Sequence, residues 1–273
     1  MANQLFDSVF NKASIYEMLF FNVKSVLIYP TLIDLQEKNK PLFDCWKYLS
    51  KTKHGFDIDT KYDFDIDTKY DKISAQSVYE TNAPNYPEFS KIVAITYATL
   101  HPENGTLKRF LKKFVGEEEH LVIAQFMDVL FQLSSEATQS NPPYFPTLCG
   151  YDIINNDIPF LIKRFIVNKD KFENRKELPL ILKEALCAKP WESNIIDTIN
   201  IWNFKGLSNT PLMLIADFMG LKRTMDLLSC DELSKYYWNN IIDKPKETLE
   251  FISLQSATQT NFVVQLMNEL RQL

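Results

Sequence analysis

Glycine is scarce in this chain, six in 273 residues, and none of the six stands in a pattern that cradles phosphate or exposes a nucleophile. There is no G-x-G-x-x-G, no P-loop and no G-x-S-x-G, which leaves dinucleotide-enzyme, P-loop NTPase and nucleophile-elbow hydrolase readings without support. Cysteine is also sparse. Cys45, Cys149, Cys187 and Cys230 lie far apart with no C-x-x-C spacing, so a zinc ribbon or a disulfide framework is not expected, and core thiols in a reducing compartment are. His54, His101 and His120 are the three histidines. None has a ligand or base partner at a recognisable spacing, and surface or turn positions are expected for them. No apolar run approaches the roughly 20 residues that span a bilayer, and no charged-then-apolar leader opens the chain. The expectation is a soluble cytoplasmic protein with no membrane partner, in which the Asn104-Gly105-Thr106 sequon has no role.

Positive charge is in deficit: 30 Lys and Arg against 35 Asp and Glu give a net charge of −5. That argues against a broad phosphate-binding face, although a local basic patch can sit inside a negative total. Two short basic clusters occur, Lys108, Arg109, Lys112 and Lys113, and Lys163, Arg164, Lys169 and Lys171. A solvated helix face is the expectation for each.

Aromatics are plentiful, with 20 Phe, 12 Tyr and 4 Trp, enough for a sizeable core in one large α/β domain or two small ones. Residues 18–28 are apolar and β-prone, as a buried central strand would be. Leu35–Leu49 predicts a helix. A second strand is expected at Ile92–Ala98, with Thr106–Val115 as its hairpin partner through the Asn104-Gly105 turn. Glu117–Leu133 has acids in its first turn and an apolar stripe at helical spacing. A short strand is expected at Thr147–Tyr151 and a helix at Ile158–Val167. Pro211 and Gly220 bracket a further helix, and Lys246–Leu270 forms the last. Strands early and helices late suggest one α/β domain over 1–273, helix-rich in its C-terminal half.

Phe56-Asp57-Ile58-Asp59-Thr60-Lys61-Tyr62-Asp63 is repeated without change as Phe64 to Asp71. A single duplicated octapeptide is too short for a solenoid, and 55–72 is expected to be a duplicated insertion in a tolerant loop. Its Asp-x-Asp pairs lack the glycine and glutamate that complete a calcium loop.

Five stretches stand out by their order and spacing: Tyr86-Pro87-Glu88-Phe89-Ser90-Lys91-Ile92-Val93, Leu148-Cys149-Gly150-Tyr151-Asp152-Ile153 running into Asp157-Ile158-Pro159-Phe160-Leu161, Lys189-Pro190-Trp191-Glu192, Ile196-Asp197-Thr198 and the surroundings of Trp202. Together they resemble the predicted bacterial 3′–5′ exonucleases related to the exonuclease domain of DNA polymerase B, in the ribonuclease H-like DEDD superfamily. The resemblance covers roughly residues 18–273. It implies a ribonuclease H-like mixed sheet flanked by helices and four carboxylates holding two divalent ions roughly 3.5–4 Å apart.

The chain departs from that pattern where the chemistry would be. The first-strand Asp-x-Glu matches Asn22 and Lys24. The second motif keeps its acid as Asp157, with Asp152 and Asn156 beside it. The third, on the last helix, matches Phe251–Ser256 and has Gln255 in place of its acid. One carboxylate of four remains. A lysine ammonium about 4 Å from a divalent ion would be repelled by roughly 8 kcal/mol at an effective dielectric near 20, and Mg²⁺ requires hard oxygen donors. The vestigial positions Asn22, Lys24, Asp157 and Gln255 are therefore expected to hold no metal and to use no cofactor.

The last helix carries the same message without the family. Its apolar stripe is interrupted by Gln255, Ser256 and Gln259, a polar window left either by a former active-site face or by middle turns that face solvent. Asp197 is expected to serve a structural turn. Three functions compete, in this order: a catalytically inactive exonuclease-like interaction or scaffold subunit with a protein partner; a non-catalytic single-stranded nucleic-acid binder with Lys24 as a phosphate ligand; and a residual Mg²⁺- or Mn²⁺-dependent exonuclease drawing on the repeat acids.

Overall fold

The computed structural model describes residues 14–58, 74–103, 106–140, 145–172, 177–187, 194–203 and 210–271. In chain order the elements are β1 (Met18–Leu27), α1 (Leu32–Lys38), α2 (Lys40–His54), α3 (Ala75–Asn82), β2 (Ser90–Glu103), β3 (Thr106–Val115), α4 (Glu119–Gln139), β4 (Thr147–Gly150), a π-helical turn (Ile153–Asp157), α5 (Ile158–Val167), α6 (Leu180–Cys187), β5 (Ile195–Asp197), α7 (Thr198–Trp202), α8 (Leu212–Phe218), α9 (Cys230–Asn240) and α10 (Pro245–Leu270). The fold is mixed α/β. One five-stranded sheet runs in the order β3-β2-β1-β4-β5, with β2 and β3 antiparallel and β4 parallel to both β1 and β5.

Most expected elements are present, and one is corrected. Leu35–Leu49 is two helices, because Pro41 has no N–H to give and cannot stand in a helix interior. The chain breaks at Asn39 instead. Its N–H closes α1 on the Leu35 carbonyl at 2.9 Å, and its side chain accepts the Leu42 N–H at 3.2 Å to start α2. Pro41 then sits in the first turn of α2, where a missing donor costs nothing. The expected Asn104-Gly105 turn lies outside the described residues, but β2 and β3 close with Glu103 opposite Thr106.

The chain divides into two compact units, neither continuous in sequence. The first takes the described residues of Met1–Lys24, Ile92–Leu227 and Leu249–Leu273; the second takes those of Ser25–Lys91 and Leu228–Thr248.

In the first unit, strand alternation sends neighbouring residues of β1 to opposite faces. Leu19, Phe21 and Val23 join Ile123, Phe126, Met127 and Leu130 of α4 and Leu161 of α5, with the Phe21 and Phe126 rings 5.2 Å apart. Met18 and Phe20 face Phe262, Leu266 and Met267 of α10 together with Ile215 of α8. Each such side chain contributes about 1.5–3 kcal/mol by leaving water, so β1 is clamped from both sides.

The second unit is built around Trp46, whose ring meets Phe89 at 5.2 Å and Tyr79 at 5.4 Å, both edge-on. His54 is part of this cluster and not a free surface group, with its ring 5.9 Å from Trp46 and its Nε2 3.2 Å from the Tyr86 hydroxyl. The first residues of the octapeptide repeat lie outside helix and strand, yet Phe56 and Ile58 are buried in the same cluster. Residues 59–71 of the repeat lie outside the described residues.

The cysteines also differ from expectation. Only Cys149 is a core thiol, its ionisation pushed up by burial. Cys45, Cys187 and Cys230 are exposed on helices whose other faces supply the packing.

Candidate functional site

Three parallel pairs tie β1 to β4, from Met18↔Thr147 to Phe20↔Cys149. Beyond them the turn after β4 brings a carboxylate to β1. Gly150 allows this turn, because a side chain there would start 2.9 Å from the Ile153 side chain. Asp152 follows in the left-handed conformation at φ 55°, a state Asp tolerates better than most residues. Its carboxylate accepts from the Asn155 side chain at 2.8 Å and from the Asn156 side chain.

Asp197 holds the turn from the other side, as expected of a structural residue. One oxygen accepts the Asp152 N–H at 2.7 Å and the Ile199 N–H at 3.3 Å, and the other accepts the Ile154 N–H at 3.1 Å. With three backbone donors its acceptor capacity is largely spent. Burial nonetheless raises its pKa above the ordinary carboxylate value.

The π-helical turn then widens the backbone by one residue, a distortion common at functional sites, and Asp157 points into the sheet. Its two oxygens accept the Val23 N–H and the Asn22 side-chain amide, both at 3.3 Å. Asp157 is buried, and the cost of keeping a charge away from water pushes its pKa up to about 7. The Lys24 ammonium and the two hydrogen bonds work against that rise and do not overcome it.

The other wall is α10. Ser256 donates from its hydroxyl to the Asn22 carbonyl and side-chain oxygens at 3.4 and 3.3 Å, and Gln259 accepts from the Lys24 ammonium at 2.6 Å. Residues three apart share a helix face, so Ser256 and Gln259 are the pair that meets β1. The polar window is therefore inward-facing. Gln255 and Ser256 are 1% and 0% exposed, and the solvent-facing alternative is overturned.

Gln255, the position matched to the missing acid, donates to the Asp226 carbonyl at 2.9 Å, while Ser256 makes the contact to Asn22. The structure thus brings together Asn22, Lys24, Asp157, Ser256 and Gln259. A pattern match fixes a residue only to within the helix turn, and the choice between 255 and 256 needs the helix phase.

These residues do not fit a two-metal centre. Asp157 is the one carboxylate among the five, it is buried, and both its oxygens already accept N–H donors. Among the described residues no three His, Cys, Asp or Glu side chains gather as a metal-holding group. Lys24, weighed as a phosphate ligand, donates to Gln259 at 2.6 Å.

The two basic clusters separate. Arg164 is buried in a bidentate pair with Glu119, Nε to Oε1 at 2.8 Å and Nη2 to Oε2 at 2.6 Å, so it departs from the solvated face expected of the second cluster, while Lys163, Lys169 and Lys171 are exposed. Lys108, Arg109, Lys112 and Lys113 are exposed, but on strand β3. Among the described residues no helix is long and apolar enough to cross a membrane. A search against family models finds no match for this chain, and neither does a search of curated proteins.

Proposed function

We propose that this chain is a catalytically silent protein of ribonuclease H-like, 3′–5′ exonuclease-related design that works as an interaction or scaffold subunit. One observation carries the reading. The positions matched to the converging carboxylates of a two-metal nuclease, Asn22, Lys24, Asp157 and Gln255, hold a single acid, and each of the four side chains is engaged in a hydrogen bond. Asn22 donates to Asp157 and accepts from Ser256, and Lys24 donates to Gln259. Such a network offers neither a cluster of negative charge for a divalent ion nor an open position for an attacking water.

The chemistry that remains is positional. Asp157 secures the Val23 N–H where β1 has parted from β4, and Ser256 and Gln259 secure the polar residues of β1 against α10. Both serve a stable scaffold. The residual-nuclease alternative would draw its acids from the octapeptide repeat, whose acids other than Asp57 lie outside the described residues. Asp57 itself pairs with Lys51 at 2.7 Å in the second unit.

Calorimetric titration of Mn²⁺ and Mg²⁺ into the protein and into Asp157→Ala, beside a labelled single-strand degradation assay, tests the proposal. No binding heat and no degradation are expected from either protein. Metal binding and degradation that both vanish in Asp157→Ala would overturn it.

A further inference from the structure

β2 and β3 form a ribbon whose inner rungs are core and whose outer rungs are in water. Ala94, Ile95, Ala98 and Phe114 are buried, whereas His101, Pro102, Glu103 and Leu107 to Phe110 are exposed. β3 is an edge strand of the sheet. Residues 99–113 carry four cations and one acid, a local charge of +3 in a chain whose total is −5, so the remainder carries −8. Cations occupy both faces, because alternation puts Lys108 and Lys112 with Phe110 and puts Arg109 and Lys113 opposite them. Lys108 pairs with Glu103 at 2.8 Å with both side chains more than half exposed, a contact worth at most about 1 kcal/mol and easily exchanged for a phosphate.

Phe110 is the residue that decides between explanations. Lysines on an edge strand also serve to repel another strand, and that role needs no aromatic ring. Yet Phe110 is 51% exposed between the cations, with its ring centroid 6.2 Å from that of Tyr97 and its outer side open to water. Cationic side chains interleaved with an exposed ring are what single strands bind, phosphates on the charges and a base on the ring face.

We infer that the outer β2–β3 ribbon is a binding surface for single-stranded nucleic acid, with Lys108, Arg109, Lys112 and Lys113 on phosphates and Phe110 stacking a base. This inference stands on the ribbon and not on the state of the Asp157 site.

Fluorescence anisotropy with a labelled oligothymidylate of about 15 nucleotides tests it. Binding is expected at low salt, weakening with a log–log salt slope near −3 for about four phosphate contacts at roughly 0.7 each. Arg109→Glu with Lys113→Glu should weaken binding at least about tenfold and flatten the slope. Phe110→Ala should weaken it about fivefold or more and leave the slope unchanged. All three side chains are exposed, and circular dichroism checks that the variants fold. Asp157→Ala should bind as the parent does. Absent binding, binding indifferent to these ribbon variants, or binding lost in Asp157→Ala would overturn the inference. So would polyglutamate competing as well as DNA with Phe110→Ala silent, the signature of docking to an acidic protein.

Discussion

At the scale of single residues, Asp157 carries the clearest consequence. Its folded pKa of about 7 lies above the ordinary carboxylate value of 3.8, so the folded state binds the extra proton between those two values. Stability from this group is fully present below the unfolded pKa and falls as pH rises toward the folded one. Asp157→Asn removes the ionisation while keeping an acceptor for Val23. It should therefore gain about 2–3 kcal/mol relative to the parent between pH 5 and pH 8, since a tenfold change in proton affinity is worth about 1.4 kcal/mol. Urea denaturation of both proteins at the two pH values measures this, and equal differences at both would show that Asp157 is open to water. Ser256 is a smaller case. Ser256→Ala leaves the Asn22 side-chain oxygen without its 3.3 Å donor in a buried place and should cost about 1–3 kcal/mol by the same measurement.

At the scale of elements, one ion pair organises three of them. Glu119, at the start of α4, accepts the Ile92 N–H of β2 at 2.6 Å, and Arg164 of α5 and Asn168 just beyond it donate to the same carboxylate. Both charged side chains are less than a tenth exposed. Arg164→Met strands the carboxylate and should cost about 3–5 kcal/mol, while Glu119→Gln with Arg164→Met should recover a large part, since a neutral amide still accepts from Ile92. A double-mutant cycle in denaturant reads both. Nothing in the sequence marks this pair, because Glu119 resembles any acid in a helix first turn and Arg164 resembles any basic residue in a surface cluster. β1 was legible as a continuous apolar run because both its faces are buried, β3 through the Asn104-Gly105 turn signal, and α5 and α10 because burial of one helix face imposes a period of 3.6. All four end within a residue of the expected bounds. Asn22, Lys24 and Asp157 were legible as a group through the family resemblance. Ser256 and Gln259 stood out only as a break in a stripe, and their meeting with β1 depends on helix phase, which a one-residue shift in a pattern match can hide. The division at Asn39 was legible in principle from Pro41, but the apolar spacing ran through it.

At the scale of the whole molecule, each unit has its own core, and the second depends on Trp46. Its side chain is fully buried among Tyr79, Tyr86 and Phe89, so Trp46→Ala should cost about 3–5 kcal/mol, read as a lower thermal midpoint. Charge is distributed unevenly too, with a marked excess of cations on the exposed ribbon of a chain that is acidic in total. The pairing of β1 with α10 has a consequence in time. Asn22 and Ser256 are 234 residues apart, and at a synthesis rate of about 5–20 residues per second α10 leaves the ribosome at least about ten seconds after β1. For that interval Met18, Phe20, Asn22 and Lys24 have no helix to cover them. The face of β1 that bears the Asn22–Lys24 pair is the face most in need of a chaperone while the chain is being made.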